Sequence, residues 1–228
     1  LLVTMNSSLA YTYEEPVKSS KLPRSTPLEK GVNPSYLYDM LDQLEQAGIE
    51  MHSLLVSVDN EVIFEGFWNP YGPDTPHIVH SLTKLFTAVV TLALVESGQL
   101  SLDETVGQID PRFIHLQNVT VGDVLSFRIS LQTPGRIDTA PTREEGLKRL
   151  FGVSVCPTPA IRVYSDMNAM VIKYVIEAKT GLSLFDAIQT WILSPAGMPE
   201  TFAAVPKALR GRCVCYNYEH RIEGERQI

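Results

Sequence analysis

The chain has 228 residues, enough for one large domain or two small ones, with 44% hydrophobic residues, 20% charged residues and a formal net charge of −7. This charge offers no basic surface of the kind that nucleic-acid-binding proteins use, so we expect no nucleic-acid partner. Three cysteines cannot form a full disulfide framework, and no matching Cys or His pair stands at zinc-ligand spacing, so we predict no metal site and no cofactor.

The first ten residues have neither a charged n-region nor a sustained apolar h-region, so we predict no signal peptide. The few cysteines favour a reducing compartment such as the cytoplasm, while a periplasmic or secreted location stays open. Pro, Ser, Lys and Glu without periodicity are typical of an extended surface segment, and we predict such a lead-in over residues 1–30.

A helix and a hairpin are predicted next. Asn33 and Pro34 have the pattern of an N-cap followed by proline at the first helical position, which predicts a helix to about Ala47. Two β-rich runs, 54–58 and 62–68, flank a short turn and predict an antiparallel pair that starts a sheet. The helix should present one apolar stripe, formed by Tyr36, Leu37, Met40, Leu41 and Leu44.

A long apolar run between residues 82 and 95 predicts a helix buried on all sides, ending near Gly98. It is too short and too often interrupted by polar residues to predict a membrane span. Ser81 and Lys84 lie one helical turn apart at its start, so their side chains should meet. A lysine desolvated by such a helix has a lowered pKa and can accept the serine proton, and the helix N-terminus favours a developing oxyanion.

Two other interpretations of this stretch stay open. Ser81 can be a plain N-cap while Lys84 extends from the core to solvent. His77 or His80 can be the base of a Ser/His/Asp hydrolase, although the Gly-x-Ser-x-Gly pattern is absent. We therefore interpret both histidines as loop residues or as residues that support the site.

The chain between residues 81 and 197 is predicted to be mostly helical. A capping-box pattern stands at Ser101–Glu104, and Lys179-Thr180-Gly181 is interpreted as the end of a helix. The remaining predicted helices begin at 119–123 and span 143–151, 167–179 and about 184–193.

A second chemical element is the stretch Val163-Tyr164-Ser165-Asp166-Met167-Asn168, directly before a predicted buried helix. A lysine ammonium lowers the pKa of a nearby phenol, so Tyr164 beside Lys84 can share proton transfer. The competing interpretation makes Tyr164 a core aromatic residue and Asp166 the N-cap of the following helix.

Several of these motifs, in this order, resemble the serine beta-lactamase-like superfamily, and within it the branch of class C beta-lactamases, DD-peptidases and esterases. The resemblance covers about residues 22–212. The matching segments are His80-Ser-Leu-Thr-Lys-Leu-Phe-Thr-Ala, Gly98-Gln-Leu-Ser-Leu-Asp-Glu, Val119-Thr-Val-Gly-Asp-Val-Leu-Ser126, Tyr164-Ser-Asp-Met-Asn168 and Leu193-Ser-Pro-Ala-Gly-Met198.

The resemblance implies an α/β fold of the α+β type, in which a mixed sheet with antiparallel strands is flanked by helices and interrupted by a mostly helical region. The implied domain spans 31–228, with the helix and first strands in 31–80, the helical region in 81–210 and the start of a returning strand in 211–228.

For function, the resemblance implies a serine acyl-enzyme formed on a small ester or amide. Ser81 would be the nucleophile, Lys84 its proton acceptor and Tyr164 the second acid/base group. His80, Asp166 and Asn168 would bind substrate.

The sequence departs from the family pattern at two places. Asp166 stands where many relatives have asparagine, and a carboxylate cannot donate a hydrogen bond to a substrate carbonyl. The segment Arg212–Tyr218 is predicted as the first returning strand, and the sequence ends at Ile228 before the expected Lys-Thr-Gly or His-x-Gly strand. We therefore expect a partial member that self-associates or pairs with a completing C-terminal chain; the alternative function is a cleft that binds a ligand without turnover.

Overall fold

The computed structural model describes residues 2–5, 11–14, 22–157 and 164–213. Contacts within the chain divide it into two compact units, Leu1–Ile78 with Val205–Ile228, and Val79–Ala204. The first holds the sheet, and the second is mostly helical, as the α+β fold class predicts.

A four-stranded sheet in the order β2-β1-β4-β3 forms the first unit. The β1–β2 and β3–β4 pairs are antiparallel, whereas β1 and β4 run parallel, so the sheet is mixed. Its elements are β1 (Leu2–Met5), β2 (Tyr11–Glu14), α1 (Pro34–Gln46), β3 (Ser53–Val58) and β4 (Glu61–Trp68).

The predicted hairpin is confirmed. Asp59 and Asn60 form its two-residue turn with φ values of 50° and 63°, and two left-handed residues give the turn the twist that matches the flanking strands. The local chemistry of an Asx pair between two apolar runs was therefore sufficient to place both strands.

Helix α1 begins where the sequence predicts, because the side chain of Asn33 accepts a hydrogen bond from the Ser35 N–H ahead of the helix. Leu37 and Leu41 pack against Phe64 of the sheet. The predicted stripe was wrong at Tyr36, which is exposed, since the face that meets the sheet is centred on the i, i+4 pair Leu37 and Leu41.

The predicted extended lead-in over residues 1–30 contains two sheet strands that the sequence analysis missed. Strand β1 pairs with Glu65–Trp68 of β4, more than sixty positions away along the chain. Strands of four residues carry little local signal, because strand preference depends on the neighbours against which the residues pack. The lead-in also contacts β4 through Arg24, which forms an ion pair with the buried Glu65.

The second unit is built around α2 and α6, which pack together in one apolar core. A short two-stranded ribbon, β5–β6, accompanies the helices. The elements are α2 (Thr83–Glu96), α3 (Val106–Ile109), α4 (Val121–Leu125), β5 (Leu131–Gln132), α5 (Arg143–Phe151), β6 (Ser154–Val155), α6 (Asp166–Thr180), α7 (Leu184–Ile188), a π-helical turn (Gln189–Leu193) and α8 (Ser194–Ala196).

Local motifs placed most of these helices correctly, with one exception. Helix α5 has the predicted bounds, and Gly181 ends α6 with a φ of 69°, which confirms Lys179-Thr180-Gly181 as a helix end. At Ser101 the predicted capping box does form its hydrogen bond to Glu104, at 2.8 Å, but the segment closes a turn instead of opening a helix.

Helix α2 corrects the prediction of a helix buried on all sides. One face is buried in the core, through Thr87, Val90, Thr91 and Leu94. The opposite face carries an apolar stripe that is 41–59% exposed and begins in the turn before the helix: Leu82, Leu85, Val89 and Leu92. Apolar residues on all sides of this helix therefore did not mean that all sides are buried. The residues of the stripe follow helical i, i+3 and i+4 spacing.

Self-association of this chain, or pairing with a completing chain, stays a prediction. The exposed apolar stripe on α2 is the surface on which we expect to test it. Contiguous exposed apolar surface drives association, whereas single exposed apolar residues are common. We expect the double variant Leu85→Glu/Leu92→Glu to shift the chain to monomer in sedimentation velocity. Ile114→Glu, at an exposed position off the stripe, should not; equal oligomer content in all three proteins would remove the stripe from any interface.

The predicted returning strand was wrong at its first residue. Lys207–Arg212 is a 3₁₀ helix, in which Arg212 is the last residue, and residues 214–228 lie outside the described part. No helix in the part of the chain that the structure describes combines the length and apolarity needed to cross a bilayer.

Candidate active site

Three elements of the second unit converge at Ser81. The 3₁₀ turn His80–Leu82 carries the serine and leads directly into α2, whose first turn carries Lys84. Tyr164 lies two residues before α6. Because α2 and α6 share the apolar core, the two helix starts are held side by side.

The side chains of Ser81, Lys84 and Tyr164 are in mutual contact. Tyr164 Oη donates a hydrogen bond to Ser81 Oγ at 2.5 Å, and Lys84 Nζ donates to the same Oγ at 3.2 Å. Lys84 Nζ also lies 4.7 Å from the centre of the Tyr164 ring. Two groups able to exchange protons therefore reach one hydroxyl, which is the geometry that activation of a serine requires.

Asp166 contacts the site through Lys84. Its Oδ1 accepts a hydrogen bond from Lys84 Nζ at 2.5 Å. The interpretation of Asp166 as the N-cap of α6 was wrong: the cap is Ser165, whose hydroxyl accepts from the Met167 N–H, while Asp166 is the first residue of the helix. Asp166 lies one position after the N-cap, and its carboxylate bonds to Lys84.

The electrostatics correct the expected pKa of Lys84. Desolvation lowers its pKa, but the hydrogen bonds from its ammonium to Asp166 and Tyr164 outweigh burial, and the pKa lies above its ordinary value. The side chain is 19% exposed, so Lys84 is not a surface amine. Desolvation alone predicts a lowered pKa, and the contacts with Asp166 and Tyr164 reverse that prediction.

Tyr164 is shifted in the opposite direction. The hydrogen bond from Lys84, followed by that with Ser81, lowers the pKa of the phenol below its ordinary value, although Asp166 opposes the effect. The ring is 64% exposed, which rules out the interpretation of Tyr164 as a core aromatic residue. The contact between the Lys84 ammonium and the phenol therefore favours the charged form of both groups.

Of the predicted substrate-binding residues, Asp166 and His80 are exposed, and Asn168 is not. His80 lies beside Ser81 in the 3₁₀ turn with a left-handed φ of 42°. Asn168 is only 1% exposed, and its side-chain amide donates to the Val124 carbonyl at 2.9 Å. Its amide ties α6 to α4 inside the core, which argues against the predicted contact between Asn168 and substrate.

We expect Asn168→Ala to lower the free energy of unfolding by about 1–3 kcal/mol, because the Val124 carbonyl loses its side-chain donor in a buried setting. Urea unfolding followed by circular dichroism measures the change. Asn118→Ala, at an exposed position of the same unit, should stay within about 0.5 kcal/mol of the parent. Equal stability of the two variants would show that the Asn168 bond carries no net free energy.

Phe127 is a site residue that sequence reasoning missed. Its ring lies parallel to that of Tyr164, with an interplanar angle of 3° and centroids 5.9 Å apart. Its φ is 55°, a left-handed value unusual for an aromatic residue, two positions after the end of α4. The available signal was an aromatic residue where a helix end usually has glycine or asparagine.

A small cavity of ≈ 50 Å³ lies behind the site, and its wall includes Lys84, Thr87, Phe127 and Asn168. The Oδ1 atom of Asn168 is buried without a hydrogen-bond partner among the described residues. Across the described part of the chain, no three His, Cys, Asp or Glu side chains converge as metal ligands.

Similarity to known proteins extends over most of the chain. The Beta-lactamase family model matches residues 39–223. Penicillin-binding protein 4 of Amycolatopsis lactamdurans is 26% identical over 142 residues, which cover 58% of this chain and 37% of that protein. The chain thus spans little more than a third of the length of this curated relative.

Two solved structures have the same fold. FmtA from Staphylococcus aureus superposes with a TM-score of 0.67 at 18% identity, covering 87% of this chain and 57% of FmtA. A class C beta-lactamase from Rhodobacter sphaeroides gives a TM-score of 0.63 at 22% identity, covering 79% of this chain and 54% of that one. The predicted beta-lactamase-like fold is confirmed, over roughly half the length of each neighbour.

Proposed function

Because this chain belongs to the beta-lactamase family, we propose that it is a serine hydrolase that acylates Ser81 with a small ester or amide. The observation that carries the proposal is the convergence of Tyr164 Oη and Lys84 Nζ on Ser81 Oγ, at 2.5 Å and 3.2 Å. A serine hydroxyl needs a neighbouring base to become a nucleophile, and two candidates stand within hydrogen-bonding distance.

In the proposed acylation, the Tyr164 phenolate accepts the Ser81 proton while Oγ forms a bond to the carbonyl carbon of the substrate. The Lys84 ammonium donates to Oγ and holds the pKa of Tyr164 down. As the tetrahedral intermediate collapses, the Tyr164 hydroxyl returns the proton to the departing alcohol or amine. The acyl group remains as an ester on Ser81.

Deacylation reverses the proton path. Tyr164 accepts a proton from water, whose oxygen attacks the acyl carbon, and then returns a proton to Ser81 Oγ as the acid is released. Both half-reactions use one exposed phenol, and in both the lysine stays charged. The pKa directions support this division of roles, which differs from the expectation that Lys84 accepts the proton.

The alternative, a cleft that binds without turnover, has less support. A site that has lost its chemistry has no need to keep a proton-transfer pair in contact with the serine, yet all three side chains are present and hydrogen-bonded. The alternative predicts a folded protein in which Ser81 does not react.

Intact-mass spectrometry after incubation with a fluorophosphonate, and separately with a penicillin, tests the proposal. We expect one adduct per chain, mapped to Ser81 by peptide mass spectrometry and absent from Ser81→Ala. A Ser97→Ala variant, which changes a serine at the other end of α2, should label like the parent. Absence of any adduct on the folded chain, or an adduct that persists in Ser81→Ala, would contradict the assignment.

A further inference from the structure

We propose that the carboxylate of Asp166 selects the substrate by charge, favouring esters or amides whose acyl part carries a cationic group and disfavouring anionic ones. The inference rests on the proposed function, because it concerns the substrate of the same serine. It begins from the place of Asp166, two residues beyond Tyr164 at the first position of α6.

A single ammonium group separates the Asp166 carboxylate from the nucleophile. Lys84 Nζ bonds to Asp166 Oδ1 at 2.5 Å and to Ser81 Oγ at 3.2 Å. A substrate whose carbonyl carbon reaches Ser81 must therefore bring its neighbouring atoms close to Asp166.

One oxygen atom of the Asp166 carboxylate is available to a ligand. Oδ1 is occupied by Lys84, whereas no described residue hydrogen-bonds to Oδ2, and the side chain is 74% exposed. An ionised carboxylate only accepts hydrogen bonds, so the free oxygen attracts donors and cations and repels a second anion.

The ion pair also removes the attraction that Lys84 would otherwise exert on an anion. The groups that shift the pKa values of Lys84 and Tyr164 are each other, Ser81 and Asp166, and Asp166 is the one carboxylate among them. The pair is neutral overall, but the Asp166 side chain is 74% exposed and the Lys84 side chain only 19%, so the charge that faces solvent is chiefly that of the carboxylate. The net charge of −7 on the whole chain acts in the same direction at low ionic strength.

Matched substrates test this preference. Three p-nitrophenyl esters of equal acyl length end in a trimethylammonium, a tert-butyl or a sulfonate group, so that charge changes while shape is nearly constant. We expect kcat/KM to fall in that order, with the cationic ester preferred over the anionic one by about tenfold at low salt, and less at high salt.

Asp166→Asn should reduce the preference to about one or reverse it, because Lys84 then keeps an unpaired charge. The ratio of two substrates on one enzyme cancels any loss of acyl transfer common to both. Asp103→Asn removes an equal charge from an exposed position of the same unit and should keep the parent ratio.

The outcomes separate this inference from the proposed function. If the tert-butyl ester is hydrolysed and Ser81 is labelled, but parent and Asp166→Asn have the same substrate ratio, charge selection by Asp166 is overturned and the hydrolase stands. If no ester is hydrolysed and no label appears, the hydrolase fails and this inference fails with it.

Discussion

Replacing Tyr164 with phenylalanine should slow acylation of Ser81 by about 10²–10⁴-fold, the range associated with loss of a positioned acid/base group. The variant loses the one hydroxyl that bonds to Ser81 Oγ at 2.5 Å but keeps the ring. The measurement is the rate of fluorophosphonate labelling by intact mass, together with hydrolysis of a neutral p-nitrophenyl ester.

The fold should survive this change, because the Tyr164 ring is largely exposed and its stacking partner Phe127 is unaltered. Urea unfolding should therefore stay within about 0.5 kcal/mol of the parent. Tyr36→Phe removes an exposed phenol from the other unit and serves as the matched control. Labelling of Tyr164→Phe at the parent rate would leave the site without its proposed base.

Lys84→Met should lower acylation at neutral pH by about 10³-fold and move the acid limb of the pH–rate profile to higher pH. The direction of this shift follows from the pKa of Tyr164. Its hydrogen bond from Lys84 is the largest cause of its lowered pKa, so without the ammonium the pKa rises toward its ordinary value. A base works only when deprotonated, and activity then recovers only in more alkaline solution.

The profile distinguishes two roles for Lys84. If Lys84 itself were the base, its loss would remove activity at every pH, and alkaline solution would not restore it. Lys173→Met removes a half-buried lysine that pairs with Glu177 on α6 and should have the parent profile. Unchanged labelling of Lys84→Met across the pH range would exclude Lys84 from the mechanism altogether.

Much of the framework was predictable because its causes are local. Asn33 before Pro34 fixed the start of α1, and the Asx pair Asp59-Asn60 fixed the hairpin, since both motifs satisfy backbone groups within a few residues. The convergence of Ser81 and Lys84 followed from helical spacing alone. Tyr164 could be placed beside them only through the order of motifs shared with a known family.

The features that sequence reasoning missed depend on contacts across long stretches of chain. The partner of Asp166 is Lys84, 82 positions away, and only that contact reveals why the lysine pKa rises instead of falling. Strand β1 is defined by its pairing with β4, and the exposed stripe on α2 by the absence of a neighbour over that face among the described residues. A local sequence pattern indicates which secondary structure a segment prefers, but it does not indicate which other segment packs against it.

The left-handed backbone of Phe127 has a consequence for engineering. A non-glycine residue in this conformation costs of order 1–3 kcal/mol, so methods that fit amino acids to backbone geometry would choose glycine or asparagine at this position. Either choice deletes the ring that lies parallel to Tyr164. Selection of a variant library for thermal tolerance alone would therefore favour variants in which the Tyr164 ring has lost its stacking partner. Position 127 should be kept as phenylalanine when this chain is stabilised.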